Sequence, residues 1–128
     1  MFISEIAKTL KLTTRTIRHY EEIGLIKSIR LKNNYRFYDI KNIDRLRFLT
    51  RARKLGFSLK ECEELIKLFD NNERKSVNVR NIAKNKLKKI NIQLKDLKDL
   101  KESLEWLVKR CPGNDKPNCP IIDELAND

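Results

Sequence analysis

Glycine and proline are scarce in this chain, three of each among 128 residues. So few turn-formers argue against a glycine- and proline-rich disordered linker and against a sheet protein of many tight turns, leaving helix as the expected element. Cysteine is scarce too, with three copies, and histidine occurs once, at position 19. Three thiols cannot build a disulfide framework, and the single histidine is far in sequence from the close pair Cys111 and Cys119. No apolar run approaches the ~18 residues a membrane span needs. The opening MFISEIAK runs directly into a charged helical pattern rather than a secretory leader. These absences predict a cytoplasmic protein, where thiols stay reduced and a close cysteine pair points to metal or redox chemistry.

What is abundant is positive charge. The formal net charge is +11, and it is unevenly spread. Residues 1–60 carry fifteen Lys/Arg against five Asp/Glu, residues 61–110 carry thirteen against nine, and residues 111–128 carry one against four. The basic excess lies in the N-terminal half, as a polyanion-binding surface requires, although a merely solvated basic face has the same composition.

The periodicities divide the chain into short helices, a hairpin and one long helix. Ser4 is the expected cap of a first helix with Ile6, Ala7 and Leu10 on one face. Lys11-Leu12 forms a turn, and Thr13 or Thr14 caps a second helix that ends at Gly24. A helix, a turn and a helix within about 20 residues match a helix-turn-helix unit. Arg15 and Arg18 share a face of the second helix and can reach phosphates or base edges. The stretch LIKSIRLKNNYRFY (25–38) places β-branched and aromatic residues around Asn33-Asn34, predicting a two-stranded wing. Asp39 caps a third helix closed by Leu55-Gly56, and Ser58 opens a fourth whose apolar face includes Cys62, read as a small buried hydrophobe. After a polar break at 70–75, an apolar stripe runs from Val79 through Leu87, Ile90, Leu94, Leu97 and Leu104 to Leu107. Its early spacings follow a heptad, and two successive threes around Leu97 and Leu100 slip the phase as a stammer does. A helix of ~35 residues is ~50 Å long. It needs a partner or its own domain to cover that stripe, and a second copy of the chain is the simplest partner.

Two segments carry a family resemblance. TTRTIRHYEEIGLI (13–26) followed by NYRFYD (34–39) resembles the DNA-binding signature of the mercury-resistance-regulator (MerR) family. ARKLGFSLKECEELI (52–66) is similar to the helical segment that follows it there, and CPGNDKPNCPIIDEL (111–125) resembles the metal loop of that family's copper-efflux branch. The chain departs from the family at Ser28, where proline is usual, and at Asn34, where glycine is usual. The resemblance implies a mostly helical fold with a small β-wing. A winged helix-turn-helix DNA-binding domain with a helical extension would span 1–69, a dimerisation helix 76–110, and a metal loop with a short terminal helix 111–128. It implies double-stranded promoter DNA and RNA polymerase as partners of a homodimer. The DNA-binding set expected on the second helix and wing is Thr14, Arg15, Arg18, His19, Tyr20, Arg30, Tyr35, Arg36 and Tyr38. Leu87, Ile90, Leu94, Leu97 and Leu104 are the expected dimerisation residues.

Cys111 and Cys119 bracket a seven-residue loop shaped by Pro112, Gly113 and Pro117, with Pro120 opening a short helix. Two thiolates are a soft donor set that selects Cu(I), Ag(I), Au(I) or thiophilic divalent ions over hard cations, and two ligands satisfy a linear monovalent ion. Family members that sense divalent ions have a cysteine at the start of the long helix, contributed by the other subunit. This chain has Ser76 there, in RKSVNVR (74–80), a poor ligand for a soft metal and equally a helix N-cap. The expected function is therefore metal-responsive transcriptional activation, by a dimer that distorts promoter DNA. A reversible Cys111–Cys119 disulfide switch, or an inert loop on a DNA-binding dimer, remain the alternatives. No phosphate-binding glycine loop or Cys-His couple suggests an enzyme.

Overall fold

The computed structural model describes residues 1–127; the expected C-terminal segment reaches one residue further, to Asp128, which lies outside the described residues. Six helices and one two-stranded sheet follow in order. They are α1 (Ile3–Leu10), α2 (Thr14–Glu22), β1 (Ile29–Arg30), β2 (Arg36–Phe37), α3 (Ile40–Lys54), α4 (Leu59–Asp70), α5 (Ser76–Arg110) and α6 (Pro120–Ala126). The predicted helical fold with a small wing is what forms. The chain divides into two compact units, 1–83 and 84–128. Among the described residues no helix is long and apolar enough to cross a membrane.

In the first unit, local chemistry fixes most helix ends. Thr13 Oγ1 accepts from the Thr16 N–H at 3.0 Å, so Thr13 rather than Thr14 caps α2. Asp39 accepts from the Asn42 N–H at 3.0 Å and from the Asn42 side-chain amide at 2.8 Å. Ser58 and Glu61 form a reciprocal capping box at the start of α4, satisfying two N–H groups the helix cannot. Two expected caps are displaced. Ser4 lies inside α1, because Phe2 bridges Phe37 and the Tyr38 N–H donates to the Met1 carbonyl at 2.8 Å. The chain is therefore extended through Phe2 and turns helical at Ile3, one residue before the serine. Ser76 is likewise the first residue of α5, not its cap.

The wing is minimal. Ile29 pairs with Phe37 and Arg30 with Arg36, and five residues, 31–35, join the strands. The Asn34 N–H donates to the Leu31 carbonyl at 2.8 Å, and Asn34 has φ +68°. That is a turn followed by a left-handed residue, a conformation asparagine tolerates better than most side chains.

Fourteen buried residues form the core of this unit, drawn from α1, α2, α3, α4 and the segments between them. Ile6, Ile17, Ile26, Leu46, Leu49 and Cys62 are fully buried, each contributing on the order of 1–3 kcal/mol of burial. Phe48 stacks on Phe69 at 4.6 Å, and an Arg45–Asp70 ion pair ties α3 to the end of α4.

The second unit holds the rest of α5, the loop and α6. Along all 35 residues of α5 no side chain is buried within the chain. Leu87, Leu94, Leu97 and Leu104 are each close to 60% exposed, and Ile90 is half-buried.

The capping geometry predicts two stability effects. Ser58→Ala should lower unfolding free energy by about 1 kcal/mol, measured by denaturant titration at fixed protein concentration. The Asn42 N–H, then its side-chain amide, hold the Asp39 carboxyl below the usual aspartate range. A depressed carboxyl stabilises the fold above its unfolded pKa, and that contribution is lost as pH falls through the folded value. Asp39→Asn keeps a capping oxygen, so it should reduce the loss of stability between neutral pH and about pH 3.

Candidate functional site

The DNA-reading candidates divide by exposure. Arg15, Arg18 and His19 stand exposed on α2, with Thr14 half-buried at its first turn. On the wing, Arg30 is exposed and Tyr35 is 65% exposed. Arg30 Nη1 also donates to the Asn34 carbonyl at 2.8 Å, bracing the turn from which it projects. Arg36 is half-buried and pairs through Nε with Glu21 Oε2 at 2.9 Å.

Tyr20 and Tyr38 require a correction. They are 6% and 0% exposed and belong to the core, Tyr20 only bordering the cleft beside α2. Tyr20 lies three residues after Ile17, on the same buried face of α2. Burial raises the Tyr20 phenol above its ordinary value, opposed mainly by Arg53. Burial also raises Tyr38, reinforced by Glu21 and opposed by Arg36, Ser28 and Arg18. The Tyr38 hydroxyl has no hydrogen-bond partner at acceptable geometry. Ser28 lies close enough to favour the phenolate, but its own proton goes to Glu21.

Two open clefts flank α2, which as the second helix of the helix-turn-helix is its recognition helix. One is lined by Arg15, Thr16, Arg18, His19 and Arg53, the last from the C-terminal turn of α3. Arg53 was missed in the sequence, where it is one of several cations at a helix end. Only the packing of α3 brings it beside α2. The other cleft collects Arg18, Arg36, Asn33 and Tyr35, with Ser4 and Glu5 from α1. Concave surfaces lined by several arginines suit the phosphate backbone, and Arg15 and Arg18 have the reach for base edges.

The dithiol loop belongs to the second unit. The helical pattern of α5 carries the Cys111 N–H onto the Leu107 carbonyl at 3.0 Å. Gly113 then takes φ +60°; a Cβ there would meet nothing within 4 Å, so backbone conformation rather than space calls for glycine. The Asn114 side chain accepts from the Lys116 N–H at 2.9 Å, and Cys119 in extended conformation precedes Pro120 at the first turn of α6. The result places Cys111 Sγ and Cys119 Sγ 3.1 Å apart, both half-buried and unoxidised. That is well beyond a disulfide bond of ~2.05 Å, and the sulfurs must separate to about 4.6 Å to hold one ion linearly at ~2.3 Å from each. The Cys119 side chain makes no capping hydrogen bond. Even so the Ile122 N–H, then the Cys111 thiol, lower its pKa below the ordinary cysteine value, against desolvation and the nearby Asp123. A thiol so biased ionises more readily and ligates more readily. Among the described residues no group of three or more His, Cys, Asp or Glu comes together as a metal site. The donor set within one chain is therefore a pair of thiols, which fits a soft ion. One helical turn before the loop, the Arg110 guanidinium lies 3.8 Å over the Trp106 ring. Ser76 is exposed at the start of α5, in the first unit.

A winged helix-turn-helix carrying exposed arginines, followed by a long apolar-striped helix and a dithiol loop, defines a class of DNA-binding regulator. The chain belongs to the MerR family. The family model described as MerR HTH family regulatory protein matches residues 1–68, and the one described as MerR, DNA binding matches residues 43–107. The HTH-type transcriptional regulator HmrR of Rhizobium leguminosarum bv. viciae is 45% identical over 127 residues, spanning 99% of this chain and 98% of that protein. The regulator CueR of Salmonella typhimurium is 40% identical over 127 residues, covering 98% and 92% respectively. A transcription regulator from Ralstonia metallidurans, solved in complex with lead(II), is 28% identical with a TM-score of 0.84, covering 98% of both chains. These relatives are transcription regulators, not enzymes, as the sequence led us to expect.

Separating surface from core yields one contrast. Arg18→Ala should weaken binding to a sequence-selected duplex by on the order of 1–3 kcal/mol. Tyr38→Phe should leave that binding unchanged and leave stability equal or higher, since it removes a buried hydroxyl without a partner. Anisotropy titration and thermal unfolding of the two variants check both halves.

Proposed function

We propose that this chain is a cytoplasmic transcriptional activator that responds to a monovalent soft metal, Cu(I) with Ag(I) or Au(I) as alternatives, and binds promoter DNA as a homodimer. The observation that carries this reading is that the loop brings Cys111 Sγ and Cys119 Sγ together with no third ligand gathered around them among the described residues. Cys111 and Cys119 would hold the ion, and the ion would supply a positive charge that draws the two sulfurs into one rigid arrangement. Zinc ordinarily takes four ligands, and the position from which a partner subunit would add a thiolate is Ser76. The kinship with CueR and HmrR supports this branch. The lead(II) complex belongs to a more distant relative.

Metal occupancy works by biasing a conformational equilibrium. An ion that binds one arrangement of the loop better than another shifts the dimer toward the state that distorts its promoter, and the deformation energy of the DNA is met from that differential affinity. RNA polymerase then engages the reshaped promoter. The dimer reading rests on α5, whose apolar stripe is exposed along its length within one chain. A second copy covers it most simply, with two such stripes packing against each other.

A reversible disulfide is the second reading, favoured by the same sulfur separation. Thiol titration under reducing conditions, with and without Cu(I), tells them apart: metal protection of two thiols supports ligation, whereas a response to oxidant alone supports the switch. Transcription from a selected promoter should rise with Cu(I) and Ag(I) and little with Zn(II). Cys111→Ser or Cys119→Ser should lose that response while keeping DNA binding, and Ser76→Cys should broaden it toward divalent ions. A response to Zn(II) equal to that to Cu(I) in the unaltered protein defeats the assignment.

Assembly has its own test. Leu94→Asp places an unpaired carboxylate in the seam, a strongly unfavourable burial. Sedimentation should find the unaltered protein dimeric and this variant monomeric at the same micromolar concentration.

A further inference from the structure

Four polar side chains meet where the recognition helix, the wing and the segment between them converge. Glu21 sits at the C-terminal end of α2, Ser28 just before β1, Arg36 in β2, and Tyr38 just after it. The two oxygens of Glu21 are divided between neighbours: Oε2 takes the Arg36 Nε at 2.9 Å, and Oε1 takes the Ser28 hydroxyl. The side chains of Arg36 and Glu21 are 29% and 19% exposed, so this pair is less screened than a surface ion pair. Arg36 also lines the cleft it shares with Arg18, so the guanidinium that Glu21 grips at Nε faces the same groove as the recognition-helix arginine.

We infer that Glu21 is a positioning residue for DNA reading, a latch that fixes the wing on the recognition helix and aims Arg36 and Arg18 together at one stretch of phosphate backbone. The physical need is plain. Two ladder pairs do not make an independently stable hairpin, so the angle between wing and helix must be set from outside the sheet. A carboxylate with one oxygen on each side of the joint sets it. Ser28 adds a bond that proline at this position cannot form, and so gives this chain a contact at the joint through a residue where it departs from its family. An acidic group beside a phosphate-binding groove is otherwise unfavourable, which supplies the sign of the test.

The inference rests on the proposed DNA-binding role, and the experiment separates the two. Full-length chain is titrated by anisotropy against the tightest duplex it selects from a random library and against a scrambled duplex of equal length, across a salt series. Glu21→Ala should weaken the selected and the scrambled duplex alike, by about tenfold, and make the salt slope of each shallower by about one, as expected when a phosphate contact is lost. Glu21→Gln keeps an acceptor for Arg36 and a donor for Ser28, so it should restore affinity to within about threefold of the unaltered chain. If Glu21 acted only as a misplaced negative charge, both variants would bind every duplex more tightly; that result, or an unchanged selected affinity and slope in Glu21→Ala, overturns the latch. Circular dichroism melts accompany each variant. Should Glu21→Ala unfold, Ser28→Ala and Glu21→Gln decide: about threefold weakening in the first with rescue in the second upholds the latch, and unaltered affinity in Ser28→Ala overturns it. The Arg15/Arg18 double alanine variant is the control, for if it binds the selected duplex normally the DNA surface itself is wrong, whatever Glu21 does.

Discussion

The wing depends on Tyr38 being buried. A hairpin of two residues per strand has too few hydrogen bonds and too little apolar area to persist in water. Here its exit strand runs straight into a fully buried tyrosine, while its outer edge is bridged by Phe2 and the Phe2 and Phe37 rings meet edge to face at 5.6 Å. The hairpin is thus stitched to the start of the chain on one side and plugged into the helical core on the other. Remove that plug, and the arginines of the wing have no defined position relative to α2. The hydroxyl left without a partner is the cost of using a phenol at this joint.

Local chemistry made much of this fold readable. Asp39 and Ser58 announced their helices because a short oxygen-bearing side chain before an apolar period has one strong use. The long helix was legible in its stripe, and Asn34 in the tolerance of asparagine for positive φ. The errors arose where a distant partner decides the outcome. Ser4 looked like a cap, but Phe37, far along the chain, draws Phe2 into extended conformation. Tyr38 looked like a member of a cation–aromatic surface, since it sits among cations in sequence, and Tyr20 entered the DNA-binding set with the second helix. For Tyr20 the three-residue spacing from Ile17 was an available signal of burial. For Tyr38 none existed, because the strand stops at Phe37 and the alternation that would place it beside Arg36 stops with it.

The two halves of the proposed site were legible to different degrees. The dithiol loop is encoded over nine consecutive residues, so spacing, proline and glycine alone brought the sulfurs together. The cationic surface is assembled from α1, α2, the wing and α3, and its members outside α2 and the wing had no local signature. Arg53 entered through helix packing and Glu21 through a carboxylate that bridges two elements. Cations on a surface are seldom placed by their own attraction to solvent; they are placed by what holds their stems.

Cys62 is fully buried in the first unit, whereas both loop thiols are half-exposed, so a thiol reagent applied to the folded protein addresses the loop alone. The chain's single tryptophan, Trp106, lies five residues before Cys111 with a guanidinium resting on its ring. Indole emission is sensitive to a neighbouring cation and to a heavy atom nearby. The molecule therefore carries its one indole five residues before the first loop thiol, and events at the loop can be followed in unlabelled protein by fluorescence.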